Sequence, residues 1–169
     1  MKKLVTLLFV AAGFLATAQV KAQAPKIGYI SVQELVIAMP EFKKADTALA
    51  DYQNALNEQY ADMVRDFNRQ DSLLSGPDTL KYTKAQLEVR RRELGQLYLK
   101  LQGWNQQAQQ LYNSKEQEQL QPVYDKARKA IQDVAKENGF TYVFSKEQLI
   151  VSPPGDDMMA LVKRKLGIR

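Results

Sequence analysis

Side chains able to carry out proton or nucleophile chemistry are few in kind here. The 169-residue chain has 19 Asp and Glu, 24 Lys and Arg and 8 Tyr, but no His and no Cys. That composition excludes Ser-His-Asp and Cys-His catalysis, His-based zinc sites, CxxC redox chemistry and c-type haem attachment. Carboxylates alone could still act as acid and base, but they lack their usual partners. The chain therefore reads as non-enzymatic, with no cofactor and no metal. Its densest chemical cluster is basic. Arg90, Arg91 and Arg92 adjoin one another, with Lys81, Lys84, Arg65 and Arg69 close in sequence, and residues 65–100 hold 8 basic and 5 acidic residues, a net of +3. Such a run could attract acidic polypeptides or anionic lipid head groups. The plainer reading is a solvated helix face, the usual fate of charge runs.

The start of the chain is a leader. In MKKLVTLLFVAAGFLATAQVKAQA (1–24), Lys2 and Lys3 precede an apolar run from Leu4 to Ala16, followed by small residues in A-x-A spacing. This is the pattern of a secretory signal peptide, and the run is short for a membrane span, which needs about 20 residues. Residues 1–22 are assigned to it, with cleavage after Ala18 or Ala22. Removing Lys2, Lys3 and Lys21 leaves 21 basic and 19 acidic residues, so the mature net charge is +2 rather than the +5 of the full chain. Near-neutral charge argues against a nucleic-acid partner.

The elements that carry the basic run are long and helical. With 8 Gly and 6 Pro, few residues are available for turns. KIGYIS (26–31) reads as a strand. Ser31 opens a capping box with Glu34, so a short helix is expected through Ile37, ended or kinked by Pro40. From Glu41 apolar residues recur at Phe42, Ala45, Leu49, Tyr52, Leu56, Tyr60, Met63, Phe67 and Leu74, a heptad seam with one stutter between Leu56 and Tyr60. SGPDTL (75–80) is a turn, in which Asp78 or Thr79 could cap a second helix. That second helical pattern runs from about Lys81 to Asn138, with its seam at Leu87, Leu94, Leu97, Leu101, Trp104, Ala108 and Leu111. It fades through NSKEQEQ and resumes at Leu120, Tyr124, Ala127, Ile131 and Val134. The two helices would reach about 50 and 85 Å. Joined by a tight turn, they should fold back as an antiparallel coiled-coil hairpin with no globular core of its own.

Such an arm must project from a body made by the chain ends: 23–40 on one side of the arm (41–140, tip near 75–80) and 141–169 on the other. FTYVFS (140–145) reads as a second strand and QLIVS (148–152) as a third. DDMMALVKRKLG reads as a terminal helix with Asp156 or Asp157 at its start, Lys163, Arg164 and Lys165 near its end and Gly167 at C′. Gly139 is the stop that turns the long helix into strand. The fold class is thus mainly α, an arm on a small β-rich body. So small a body, with strands rich in Ile, Tyr, Val and Phe, is expected to oligomerise through its sheet. The residues expected at that contact are Ile27, Tyr29, Tyr142, Val143, Phe144, Ile150 and Val151. Pro122, inside the second helix near the body, is expected to bend it and to serve as a hinge.

The order of a signal peptide, KIGYISVQELVIAMPEFKKAD, a charged hairpin, LQPVYDKARKAIQDVAKENGFTYVFS and a short terminal helix resembles the Skp/OmpH family of periplasmic chaperones of Gram-negative bacteria. The resemblance spans the whole mature chain and is most specific at its two ends. It implies a periplasmic homotrimer shaped like a jellyfish, whose three arms enclose a cavity. There, without ATP, unfolded outer-membrane β-barrel precursors are held and kept from aggregating on their way to the outer membrane. Client contact would then fall on apolar residues off the seam or where it is weak: Tyr60, Met63, Phe67, Tyr98, Trp104 and Tyr112. The bland reading of the same residues is packing of arm helix on arm helix. Family members have been proposed to bind lipopolysaccharide through a basic cluster on the second arm helix. The corresponding stretch here, WNQQAQQLYNSKEQEQ, holds one Lys, and that site does not carry over. The competing reading is a structural or adaptor coiled coil with no chaperone activity.

Overall fold

The computed structural model describes residues 24–168, and the signal-peptide assignment (1–22) lies outside them. Strand β1 (Ile27–Ile30) leads into helix α1 (Val32–Ala38). The Ser31 hydroxyl caps α1 by accepting from the Glu34 N–H at 3.1 Å. The return half of the expected capping box is not made, because the Glu34 carboxylate pairs instead with Lys146, 3.3 Å away. Met39 is extended, and Pro40 sits at the first position of α2 (Pro40–Ser75), where its missing N–H costs nothing.

Pro77–Lys81 forms a single 3-10 turn. Within it the Thr79 hydroxyl donates to the Gly76 carbonyl at 3.0 Å, so Thr79 serves the turn. The cap of the next helix, expected at Asp78 or Thr79, is Thr83, which makes a complete capping box with Gln86. From there α3 runs Lys84–Glu137 without interruption through Pro122. Its 54 residues span about 80 Å and the 36 of α2 about 54 Å. Contacts pair the start of α2 with the late part of α3, through Glu41 and Lys126. They pair the later part of α2 with the early part of α3, through the rings of Phe67 and Tyr98.

α3 ends as Gly139 implied. At φ +72° it occupies the left-handed region, and Phe140 N–H returns to the Ala135 carbonyl at 2.9 Å. This Schellman closure delivers the chain directly to β2 (Tyr142–Ser145). β2 pairs with β1 in parallel, Ile27 opposite Tyr142 and Ile30 opposite Ser145. The crossover between them is the whole of α1, α2 and α3.

The expected third strand does not form. Gln148 ends a 3-10 turn (Lys146–Gln148), and Leu149–Ser152 runs into Pro153 and Pro154 without pairing. The free edge of β1 is occupied from elsewhere: Tyr29 bridges to Asp157, and Met158 N–H donates to the Tyr29 carbonyl at 3.0 Å. Local β-propensity marked 148–152, but a later segment holds the partner groups. Helix α4 (Met159–Lys165) comes next, its first N–H held by the Asp157 carboxylate at 2.8 Å, and Gly167 closes it at φ +70°.

One core ties these pieces together. It contains Ile30 of β1, Leu35 and Val36 of α1, Met39, Met158, and Val162 of α4. It also contains Val123, Ala127, Ala130, Ile131 and Val134, so the base of α3 is part of the body's packing. Each large apolar side chain fully buried there contributes roughly 1.5–3 kcal/mol.

Candidate functional site: the arm surface and the sheet edge

Burial along the arm is graded. On α2, Ala45, Leu49 and Leu56 are buried, and beyond Leu56 no described residue of that helix is. On α3 the first buried residue from the turn is Trp104. The distal seam residues Met63, Phe67, Leu74, Leu87, Leu94, Leu97 and Leu101 are only half-buried. A narrow seam between two helices cannot do better, since each apolar side chain has neighbours on one side only. Leu111 departs from the expected seam. It is exposed, and the line from Ala108 passes through half-buried Tyr112, Lys115 and Gln119 to buried Val123. The seam therefore shifts by one residue where it was expected to fade, and polar side chains fill it.

Five of the six residues expected to contact a client fall into two groups. Tyr60, Trp104 and Tyr112 line one cavity between α2 and α3. Trp104 is 5% exposed and Tyr60 42%, so the indole is mostly wall and the phenol mostly surface. Phe67 and Tyr98 meet nearer the tip, ring centroids 6.1 Å apart, and half-buried Met63 lies between the groups in sequence. Exposed apolar residues that sequence reasoning passed over are Leu80, 91% exposed in the turn, and Val89 and Leu99 on α3. Their signal was available: Val89 and Leu99 are apolar positions outside the heptad.

At least three of the seven basic residues are met by local acids. Arg65 pairs with Asp62 and Arg69 with Asp66 one turn back, and Arg92 lies 3.4 Å from Glu88. The Arg90 guanidinium sits 4.4 Å over the Tyr82 ring, a cation–π placement that orders it. Lys81, Lys84 and Arg91 are exposed. These exposed pairs add little stability. They leave a net-positive surface flanking the turn.

In the body, Tyr29 is buried and its hydroxyl donates to the Ser152 carbonyl at 3.2 Å. Ile27, Tyr142 and Phe144 are exposed, and Ile150 and Val151 more fully so at 103% and 76%. Val143 faces inward with Ile131 and Ala135 along a groove that Phe144 also lines. Five of the seven residues expected at an oligomer contact are therefore open on a single chain, while Tyr29 and Val143 serve its own packing. Hydroxyls fix the outer corner of this sheet. Ser31 and Ser145 both donate to the Glu147 carboxylate. The Ser145 hydrogen bond, and then that of Ser31, hold its pKa down to about 2 from an ordinary 4.5. At the junction of arm and body, the Lys126 hydrogen bond keeps the Glu41 carboxyl below its usual value. Among the described residues no cluster of acidic groups could hold a metal ion, and no helix is long and apolar enough to cross a membrane.

The sequence model of the family described as outer membrane protein (OmpH-like) matches residues 26–166. The chain belongs to the OmpH-like family. Its fold is that of a crystal structure of an OmpH-like protein from Caulobacter crescentus CB15, assigned as a candidate outer membrane chaperone. The two superpose with a TM-score of 0.70 at 20% sequence identity, over 85% of this chain and 84% of that one. No curated protein matches the sequence. The match to the OmpH-like family spans both body segments and the whole arm, and so covers the aromatic positions, the basic run and the sheet edge alike.

Proposed function

We propose that this OmpH-like chain is an ATP-independent periplasmic holdase that binds unfolded outer-membrane β-barrel precursors between helical arms and keeps them from aggregating. Its protomer would be an antiparallel coiled-coil arm on a small body. Three protomers would join through the open body surface (Ile27, Tyr142, Phe144, Ile150 and Val151), delivered to the periplasm by a cleaved signal peptide. The observation that carries the reading is the distal arm. Exposed Tyr60, Leu80, Val89, Tyr98 and Leu99 are scattered among charges on helices that bury little of their own surface. Many weak apolar contacts on a long, soluble arm suit a partner that exposes alternating apolar residues and lacks a fixed shape. A folded barrel pairs its strand edges and turns its apolar face to lipid, and would be released.

The net-positive stretch around Arg90–Arg92 would add attraction for acidic client segments, and the same charge suits anionic head groups. Cosedimentation with anionic but not zwitterionic vesicles tests the lipid contact, and equal pelleting with both refutes it. Pro122 gives no N–H to the Glu118 carbonyl, which weakens α3 beside the groove lined by Glu41, Ala45 and Gln119. There the arm would bow to admit a client. Unchanged client capacity in Pro122→Ala would show the proline to be merely tolerated.

The test of the holdase reading is dilution of a urea-denatured outer-membrane barrel protein into buffer, monitored by light scattering. Stoichiometric mature protein should suppress aggregation. Scattering that is unchanged would leave the structural or adaptor coiled coil as the surviving interpretation.

A further inference from the structure

The stutter in the α2 seam has a structural consequence. Leu56 is buried, but four residues on Tyr60 turns outward, and opposite it α3 presents small Ala108. The helices leave a cavity of about 320 Å³ at this level, within the size range of small-ligand sites. Its lining carries no charged side chain, on a chain in which 25% of residues are charged. It carries four carboxamides instead, Gln53 and Asn57 on α2 and Asn105 and Gln109 on α3, each pair one helical turn apart.

We infer that this mid-arm cavity is a binding site for a short, extended, uncharged peptide segment, recognised through its backbone amides. This deepens the holdase reading and rests on it. A carboxamide offers an N–H donor and a carbonyl acceptor together, the same complement as a peptide group. Some of that capacity is already used: Gln53 Nε2 donates to Asn57 Oδ1 at 3.3 Å, and Gln109 Nε2 to Asn113 Oδ1 at 2.7 Å. The Asn57 amide nitrogen and both ends of the Asn105 amide are exposed and have no protein partner among the described residues, so they are open to a ligand in exchange for water. A charged segment would find no counter-charge in the lining. Side chains of an extended segment alternate in direction, so one that sets its amides on Asn57 and Asn105 can lay alternate side chains along the Tyr60 and Tyr112 rings. Backbone recognition of this kind is indifferent to client sequence. A neutral oligosaccharide is the rival ligand for amides and aromatics, but with Trp104 buried to 5% exposure it has only the Tyr60 and Tyr112 rings to stack on.

Trp104 is the one tryptophan of the chain, so its emission reports the site. The mature protein is titrated with an acetylated and amidated hexapeptide of alternating Val and Thr, with the same peptide N-methylated at alternate amides, and with maltohexaose. A saturable emission change is expected with the first peptide. At least about tenfold weaker binding is expected for the N-methylated peptide, and for an Asn57→Leu/Asn105→Leu variant that retains wild-type helicity and melting. If the double variant melts early, Asn105→Asp, exposed at its position, replaces it with the same expectation. Equal binding of both peptides, no emission change with either, or binding of maltohexaose alone would overturn the inference. Light scattering with the full-length barrel separates the two readings. Suppression of aggregation without peptide binding sinks this site and leaves the holdase, whereas loss of suppression in the wild type sinks the holdase itself.

Discussion

Substituting Gly28 by Ala puts the closure of the body to a numerical test. Gly28 lies in β1 opposite Val143. A Cβ there would fall 2.7 Å from Met158 Sδ and 2.8 Å from Cδ1 and Cε1 of Phe140, well inside the ordinary 3.5–4.0 Å carbon contact. Neither neighbour is free to leave. Met158 is fully buried, and the Phe140 ring lies beneath the Lys26 ammonium at 4.1 Å. Overpacking of this kind costs about 1–3 kcal/mol, while replacing a strand glycine by alanine recovers about 0.5–1 kcal/mol of backbone entropy. The net loss should be about 1–2 kcal/mol. For a chain of this size that lowers Tm by about 2–8 °C, read by circular dichroism at fixed chain concentration. Gly95→Ala supplies the contrast. It lies inside α3 with nothing within 4 Å of the added carbon, so it should raise stability by about 1 kcal/mol. Phe140→Leu should recover part of the Gly28→Ala loss by making room for the methyl group. If Gly28→Ala melts at or above the wild type, β1 is not packed on Phe140 and Met158 as described, and the account of the body fails.

Other expectations concern assembly, charge and pH. Phe144→Asp, at an exposed edge position, should dissociate the proposed trimer while the protomer keeps its helicity; an unchanged sedimentation coefficient would remove Phe144 from the proposed interface. Val143→Asp, by contrast, places a carboxylate against Ile131 and Ala135 and should unfold the body itself, seen as early melting. Reversing Arg90, Arg91 and Arg92 to Glu should weaken client capture more at low than at high salt, and equal loss at both would point to disrupted folding. Glu147 has a folded-state pKa below its ordinary 4.5, at about 2, so its stabilising effect is complete above pH 4.5 and fades as pH falls through 2. The difference in Tm between wild type and Glu147→Gln should therefore shrink steadily from pH 5 to pH 2, and a constant difference would show that the serine–carboxylate corner does not stabilise the body.

Local signals in the sequence predicted local structure well. Ser31 as a cap, Pro40 as a break, Gly139 and Gly167 as helix stops and the seam of α2, Tyr60 excepted, are each set by a few neighbouring residues, and each stands where the residue types placed it. What depended on distant segments was not legible. QLIVS has strand composition, but the edge of β1 is taken by Asp157 and Met158. Thr79 is a good cap type, yet the 3-10 turn uses it first and passes the role to Thr83. The one-residue seam shift from Leu111 to Tyr112 is invisible to a count of apolar residues, because Lys115 and Gln119 carry the seam onward. Of the site, the aromatic positions and the basic run could be named from their spacing. That three of the aromatics surround one uncharged cavity required the two helices to be in register.

Sedimentation of the mature protein, alone and mixed with a urea-denatured outer-membrane barrel protein diluted into buffer, tests the central proposal most directly. The account predicts a species of three chains that takes up one client and remains soluble. A monomer that leaves the client to aggregate would contradict it.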